Sequence, residues 1–384
     1  MIKAQNFSYL AIILLTPFFI SLKLDYSISF DRSLWVFGEF HLKRSTEQYL
    51  ITFPISLIVI LFYALKFFPV IVRHKYFLSL FAWLFFVTLG NYVFGEMSIM
   101  SVKVTLAMIV FILSLCVFDE YFSTVDFDST VAFEDYYILA PFLILLSLLI
   151  WSFAFYRDDS FIVPMLKVYD FDQYLSYALL LFIGAFFKNT MQLLVVFICL
   201  LVFADITRSD GIKIILIFLI PIYILYKSNF HWLRKYSVTI LTIACSLIIC
   251  YQALAYFYPN IQAVMPLTLS ARIEKIHTFY ANTDWMMLLF PLRDLTVRSD
   301  HLHNEVLQAI SATGVLGALL YYGMIINRLQ KIMRVNLGSG ISVALVVIVG
   351  GALVLPTMHP YTGILIAFFL SFYNSKLYRQ SVSA

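Results

Sequence analysis

Asp300-His301-Leu302-His303-Asn304-Glu305 stands at the threshold of a long apolar run that continues through Gly314 and Gly317. Histidine exchanges a proton near neutral pH. Ionisable side chains at the mouth of a membrane-length helix are costly enough that they mark functional positions. A helix starting near Ser299 or Asp300, either of which can cap its free amides, places His301, Leu302 and His303 in its first turn. From His303, positions 307, 310, 314 and 317 fall within about 40° of one stripe at roughly 100° per residue. The stripe reads His303, Leu307, Ile310, Gly314, Gly317, with Ala318 beside it, and its small lower half lets a second helix approach closely. The partial positive charge of a helix N-terminus disfavours imidazolium, which leaves such a histidine available as a base. The competing reading is a histidine that only anchors a span at the interface.

Arginines gather in neighbouring segments. Arg208 lies in Ile206-Thr207-Arg208-Ser209-Asp210-Gly211, directly after an apolar run. Arg272 lies in a mixed apolar and charged stretch from Leu267 to His277 with the pattern of an interfacial helix. Arg293 and Arg298 precede the histidines. Guanidinium groups bind phosphate oxygens in bidentate fashion, so arginines collected beside a histidine suit a ligand bearing phosphate. Two simpler readings compete: an Asp205–Arg208 pair on one helix face, and attraction of the arginines to anionic lipid headgroups.

These residues need a scaffold, and composition defines it. Of 384 residues, 62% are hydrophobic and 12% charged, about half the charged fraction of soluble domains, which are near 25%. Such a chain cannot cover itself with polar surface. Unbroken apolar runs recur throughout, where a barrel would show short alternating strands. The expected fold is an all-α polytopic membrane protein, a single integral membrane domain over 1–384 with about twelve spans. They fall near 6–24, 49–72, 76–95, 99–118, 136–156, 174–187, 191–206, 212–226, 236–256, 303–326, 341–358 and 361–375. The first is read as a retained span, since no small-residue cleavage site follows it. Cys116, Cys199, Cys245 and Cys250 all fall in expected spans and read as small buried apolar side chains. Lys66 and Lys103 lie where their side chains can snorkel to an interface.

Short loops set the orientation. Arg73-His74-Lys75, Lys188, Lys227 to Lys235, Arg328 to Arg334, and Lys376 with Arg379 fall on one side, read as cytoplasmic. The turns near Glu96 and at Met358-His359-Pro360 carry neither lysine nor arginine and are read as outer. Both termini are then cytoplasmic. The Arg208 turn and the long 257–302 loop emerge on the opposite, non-cytoplasmic face, and the acidic 119–135 loop faces the cytoplasm. A net charge of +4 is too small and too dispersed for a nucleic-acid partner. No metal-ligand cluster, phosphate-binding glycine loop or nucleophile elbow is present in the sequence, which points away from nucleotide hydrolysis.

The block His303-Asn304-x-x-Leu307-Gln308…Gly314-x-x-Gly317 at the start of a span resembles the signature of the O-antigen ligase and polymerase superfamily. The Thr207-Arg208-Ser209 turn and the long loop carrying Arg272 sit where that family has its other key arginines. The resemblance covers roughly residues 190–360 in pattern, and the whole chain in length and span count. Two local departures stand out: Phe290-Pro-Leu-Arg-Asp-Leu replaces the glycines often found before the histidine block, and Gly211 follows the arginine by three residues. The resemblance implies a C-type-like membrane glycosyltransferase of the bacterial inner membrane, inverting and independent of metal, nucleotide or other cofactor. Its donor would be polysaccharide on undecaprenyl diphosphate, and its surroundings membrane lipids. Carried over, Arg208 and Arg272 bind the donor diphosphate and stabilise its departure, and His303 serves as the base for the acceptor hydroxyl. Arg293, Arg298, His301 and Asn304 are expected to contribute to substrate binding. The first expectation is a ligase transferring polysaccharide to lipid A–core. The alternatives are a polymerase joining repeat units and, from another class, a polysaccharide flippase, which would be expected to show internal repeats.

Overall fold

Apolar runs with few prolines give helices, because in the absence of water the backbone must satisfy its own hydrogen bonds. The computed structural model describes residues 19–25, 48–72, 75–93, 99–124, 190–206, 210–227, 267–281, 304–353, 357–358 and 360–375. It also describes helical positions at 177, 180, 181, 243, 246, 247 and 250. Apart from one antiparallel pairing, β1 (Phe19–Asp25) with β2 (Gln48–Pro54), the elements are helical. They are α1 (Ile55–Lys66), α2 (Phe68–Ile71), α3 (Lys75–Val93), α4 (Ile99–Thr124), α5 (Thr190–Ile206), α6 (Asp210–Lys227) and α7 (Leu267–Ala281). Then follow α8 (Glu305–Val335), α9 (Leu337–Ala344), a π turn (Leu345–Val349), α10 (Gly350–Leu353) and α11 (Pro360–Asn374).

Two helices, Val104–Thr124 within α4 and Glu305–Val335, are long and apolar enough to cross a membrane. Helix α8 is interrupted at Gly314, and at 1.5 Å per residue its stretch from 315 to 335 reaches about 32 Å, close to a hydrocarbon layer of about 30 Å. The shorter helices α1, α3, α5 and α6 are apolar on their outward faces as well as their inward ones. Phe62, Leu65, Phe85, Phe86, Val195, Val202 and Ile217 are all exposed. Exposed apolar surface of this kind marks faces that contact lipid or other protein.

The core lies where α4, α8, α9, the π turn and α11 meet. Phe118 and Phe122 of α4 interleave with Phe368 and Phe372 of α11, at ring separations of 5.4 Å (Phe118–Phe368) and 5.6 Å (Phe122–Phe372). Phe111 packs on Tyr321 of α8 at 5.4 Å. Helices α8 and α9 are joined through Asn336 alone, whose side chain accepts from the Ser339 amide. A Cβ on Gly340 would come within 2.4 Å of Met333, so this tight reversal requires glycine.

The two ends of α8 are tied to different partners. Near its tail Arg328 forms a bidentate ion pair with Asp119 of α4, and Asn374 of α11 donates to the Arg328 carbonyl. At its head Glu305 is bonded to Thr357, just before α11. Residues 119, 328 and 374 therefore share one end of the bundle, and residues 304–305 and 357–358 share the other.

Several element boundaries differ from the sequence reading. The expected spans at 6–24 and 49–72 meet the strands: residues 19–25 are extended, and helix begins only at Ile55, after Pro54. Asp119 and Glu120 belong to the last turns of α4 and not to a loop. Arg328 to Arg334 are helical, because α8 runs nine residues past the expected end at 326. Cys116 is buried and Cys199 half-buried, but Cys250 is exposed. It follows Ile243 and Leu247 at helical spacing, and both of those are exposed too. Lys66 lies over the Tyr63 and Phe67 rings, at 5.8 and 5.6 Å.

Candidate functional site at the head of the long helix

Helix α8 begins four to five residues later than a start capped by Ser299 or Asp300. Asn304 is the N-cap, extended at φ −138°, ψ 113°, and its Oδ1 accepts from the Leu307 amide at 3.1 Å. Asparagine is a strong capping residue, and here it takes the place expected for Ser299 or Asp300. His303, the residue before this cap in the chain, lies outside the described residues.

Directly after the cap comes Glu305, fully buried. A carboxylate is favoured electrostatically in a first helical turn, and this one also has a tertiary partner. Oε2 accepts from the Thr357 amide at 2.9 Å, and Oε1 accepts from the Thr357 hydroxyl. That hydroxyl accepts in turn from Tyr321 Oη at 3.0 Å, closing a buried network between the first and fifth turns of α8 and the 357–358 turn. The buried Tyr322 hydroxyl also faces the carboxylate. Gly351 of α10 stands alongside, with space for a Cβ 3.7 Å from that of Glu305. Thr357 is itself held in place by Gly363, where a Cβ would approach the Thr357 carbonyl oxygen to 2.4 Å. No cation pairs with Glu305 among the described residues.

Lower on α8 the small residues do structural work. Gly314 adopts φ 73°, ψ 172° and breaks the helix, a conformation essentially restricted to glycine. The break frees the Thr313 carbonyl, which accepts from the Trp83 indole of α3 at 2.8 Å. A Cβ on Gly317 would lie 2.7 Å from the same indole nitrogen and 2.4 Å from Thr313 Oγ1. The small half of the stripe is thus a close-approach surface, and the stripe turns at Gly314 where a straight helix was expected.

Of the candidates from sequence, Asn304 is in place as the cap. Arg272 lies on α7, a helix whose Ile273, Ile276 and Phe279 are buried while Glu274 is exposed. Arg208, Arg293, Arg298, His301 and His303 lie outside the described residues. Glu305, Thr357 and Tyr321 were not singled out from sequence. The signal for Glu305 was available, since a carboxylate inside an apolar span needs a reason. Thr357 carries no such signal, because its role depends on a contact made 52 residues away. No family model, curated protein or solved structure matches this chain.

Proposed function

We propose that the protein is an O-antigen ligase: a multi-pass enzyme of the bacterial inner membrane with about twelve spans and a C-type-like architecture. It transfers polysaccharide from undecaprenyl diphosphate to lipid A–core on the periplasmic face. The observation that supports this reading is that Asn304, Gly314 and Gly317 of the His303-Asn304-x-x-Leu307…Gly314-x-x-Gly317 block each have a separate physical task. Asn304 and Leu307 are the two partners of the capping bond. Gly314 is the break, and Gly317 the close approach to Trp83. The described part of the block is therefore a rigid mount, and His303 directly precedes it in the chain.

In the reaction the acceptor hydroxyl oxygen attacks the anomeric carbon of the donor sugar. The bond from that carbon to the diphosphate oxygen breaks, and undecaprenyl diphosphate departs with the electron pair. One displacement inverts the anomeric configuration. His303 takes the hydroxyl proton, while Arg208 and Arg272 stabilise the charge growing on the leaving diphosphate. Arg293, Arg298, His301 and Asn304 line the approach to this centre. The common end shared by the α8 head and the 357–358 turn supports a periplasmic site, since Met358-His359-Pro360 lacks the lysine and arginine typical of cytoplasmic turns. The other end, with Arg328 and Asn374, supports cytoplasmic termini.

The test is transfer by purified protein given undecaprenyl-diphosphate-linked polysaccharide and lipid A–core. Wild type is expected to place polymer on lipid A–core, and His303→Ala to lose this by a factor of about 10² or more, as removal of a general base does. Chain extension on the carrier lipid with untouched lipid A–core would make the enzyme a polymerase. Transport of carrier-linked glycan across the bilayer, equal in wild type and His303→Ala, would make it a flippase.

A further inference from the structure

A buried carboxylate is an expensive way to hold a helix in place. Apolar residues of similar volume usually serve as well or better, and inside a membrane such a group calls for an explanation beyond stability. Glu305 is fully buried at the start of α8. Among the described residues, the groups that face it from the packed elements are neutral: the Thr357 amide and hydroxyl, Tyr321 through that hydroxyl, Tyr322, and Gly351. Both of its oxygens are engaged by one residue, so the carboxylate clamps the first turn of α8 to the turn that precedes α11. His303 is two residues before this clamp, and Asn304 between them is fixed by its bond to Leu307.

We infer that Glu305 is a positioning residue for the transfer reaction: clamped by Thr357, it fixes the direction from which His303 meets the acceptor hydroxyl. This rests on the glycosyltransferase reading above. Glu305 acts through the backbone of residues 303–305 and not on substrate. Gly363 has the complementary task, since the absence of a Cβ there brings Thr357 within reach.

Glu305→Gln preserves volume but sets an amide donor where an acceptor stood, against a residue that donates twice. With the full chain in lipid nanodiscs, this variant is expected to lower kcat by about tenfold or more, because small misplacements of a catalytic group are amplified at the barrier. KM for both substrates should stay within about twofold, since binding is not what the clamp controls. Thr357→Ser, which keeps both donors, should retain wild-type kcat, while Thr357→Val should fall toward Glu305→Gln. Asp119→Asn, at the far end of α8, serves as the stability control, with lower thermal stability and unchanged kcat.

A second readout needs no activity. The rate at which diethyl pyrocarbonate modifies His303, followed by mass spectrometry against His277 as reference, should change by about threefold or more in Glu305→Gln if the clamp fixes its surroundings. Unchanged kcat and unchanged His303 reactivity would overturn the inference, as would a loss of kcat matched by Asp119→Asn at equal loss of stability. If Glu305→Gln does not fold, Thr357→Val and Thr357→Ser decide the question by the same two readouts. If wild type transfers sugar to neither acceptor, the proposed function fails, and the modification rate still tests whether Glu305 positions His303.

Discussion

The two ends of α8 are fastened in opposite ways. At the tail, Arg328 and Asp119 form a two-pronged ion pair whose side chains retain 12% and 31% exposure. Opposite charges meet toward one end of the bundle, with Asp119 partly open to its surroundings and Arg328 largely covered. At the head, Glu305 is fully buried, and its partners among the described residues are neutral donors. A fastening chosen for strength alone would use the first arrangement at both ends. The contrast teaches that the head is built for definition of geometry, and that the tail is a strut. Gly314 divides the two, so the helix is a pair of rods with a fixed angle between them.

Removing the head clamp should have the largest effect. Glu305→Ala leaves the Thr357 amide and hydroxyl without their acceptor in a buried site, and orphaned buried donors together cost about 3 kcal/mol. Reversible unfolding in mixed micelles, followed by helical circular dichroism, would measure it. A loss no larger than that of a tail variant would erase the distinction between the ends. Gly314→Ala comes next. An alanine at φ 73°, ψ 172° is strained by about 2 kcal/mol, and relief by straightening α8 would break the bond from Trp83 to the Thr313 carbonyl. The indole fluorescence of that region should shift in Gly314→Ala, and an unchanged spectrum with unchanged stability would mean that the break is not imposed by the glycine.

Much of this organisation was legible in sequence, and the parts that were not share a cause. Helices with uninterrupted apolar runs and clear ends were read to within a residue or two: 191–206 against Thr190–Ile206, and 361–375 against Pro360–Asn374. The close approach at Gly317 was also legible, because small residues on one face admit a neighbour whatever its identity. The start of α8 was misread because three residues could cap it, and local preference does not choose among Ser299, Asp300 and Asn304. Tertiary bonds chose: Glu305 must face Thr357, and this sets the first turn. The bend at Gly314 was hidden for a similar reason. A lone glycine in a helix is ordinarily tolerated, and only the Trp83 indole, 230 positions away along the chain, stabilises the carbonyl that the bend exposes. Asp119 was assigned to a loop by its charge, when its partner Arg328 was what allowed α4 to continue. Arg208, Arg293, Arg298, His301 and His303, singled out by type and spacing, lie outside the described residues, and Arg272 is placed as a position on α7.

The smallest effect is expected at the tail, and it should also be the one most sensitive to salt. Asp119→Asn removes one charge of the Arg328 pair but keeps a hydrogen-bonding side chain of similar shape. Arg328 is largely covered, but the asparagine carbonyl still accepts from its guanidinium, so the charge keeps a hydrogen-bond partner. The loss should be under about 1 kcal/mol, in the range of partly exposed ion pairs. Raising ionic strength from roughly 0.01 to 1 M shortens the screening length from about 30 to 3 Å, so wild type should move toward the variant as salt is added. Glu305→Ala should keep its deficit at every salt concentration, because its lost bonds are local and sealed from ions. Parallel salt titrations of the two variants therefore separate the ends by mechanism as well as by size. A tail deficit that persists in high salt would show that Asp119 and Arg328 are joined as tightly as the head, and α8 would then be clamped, not propped, at both ends.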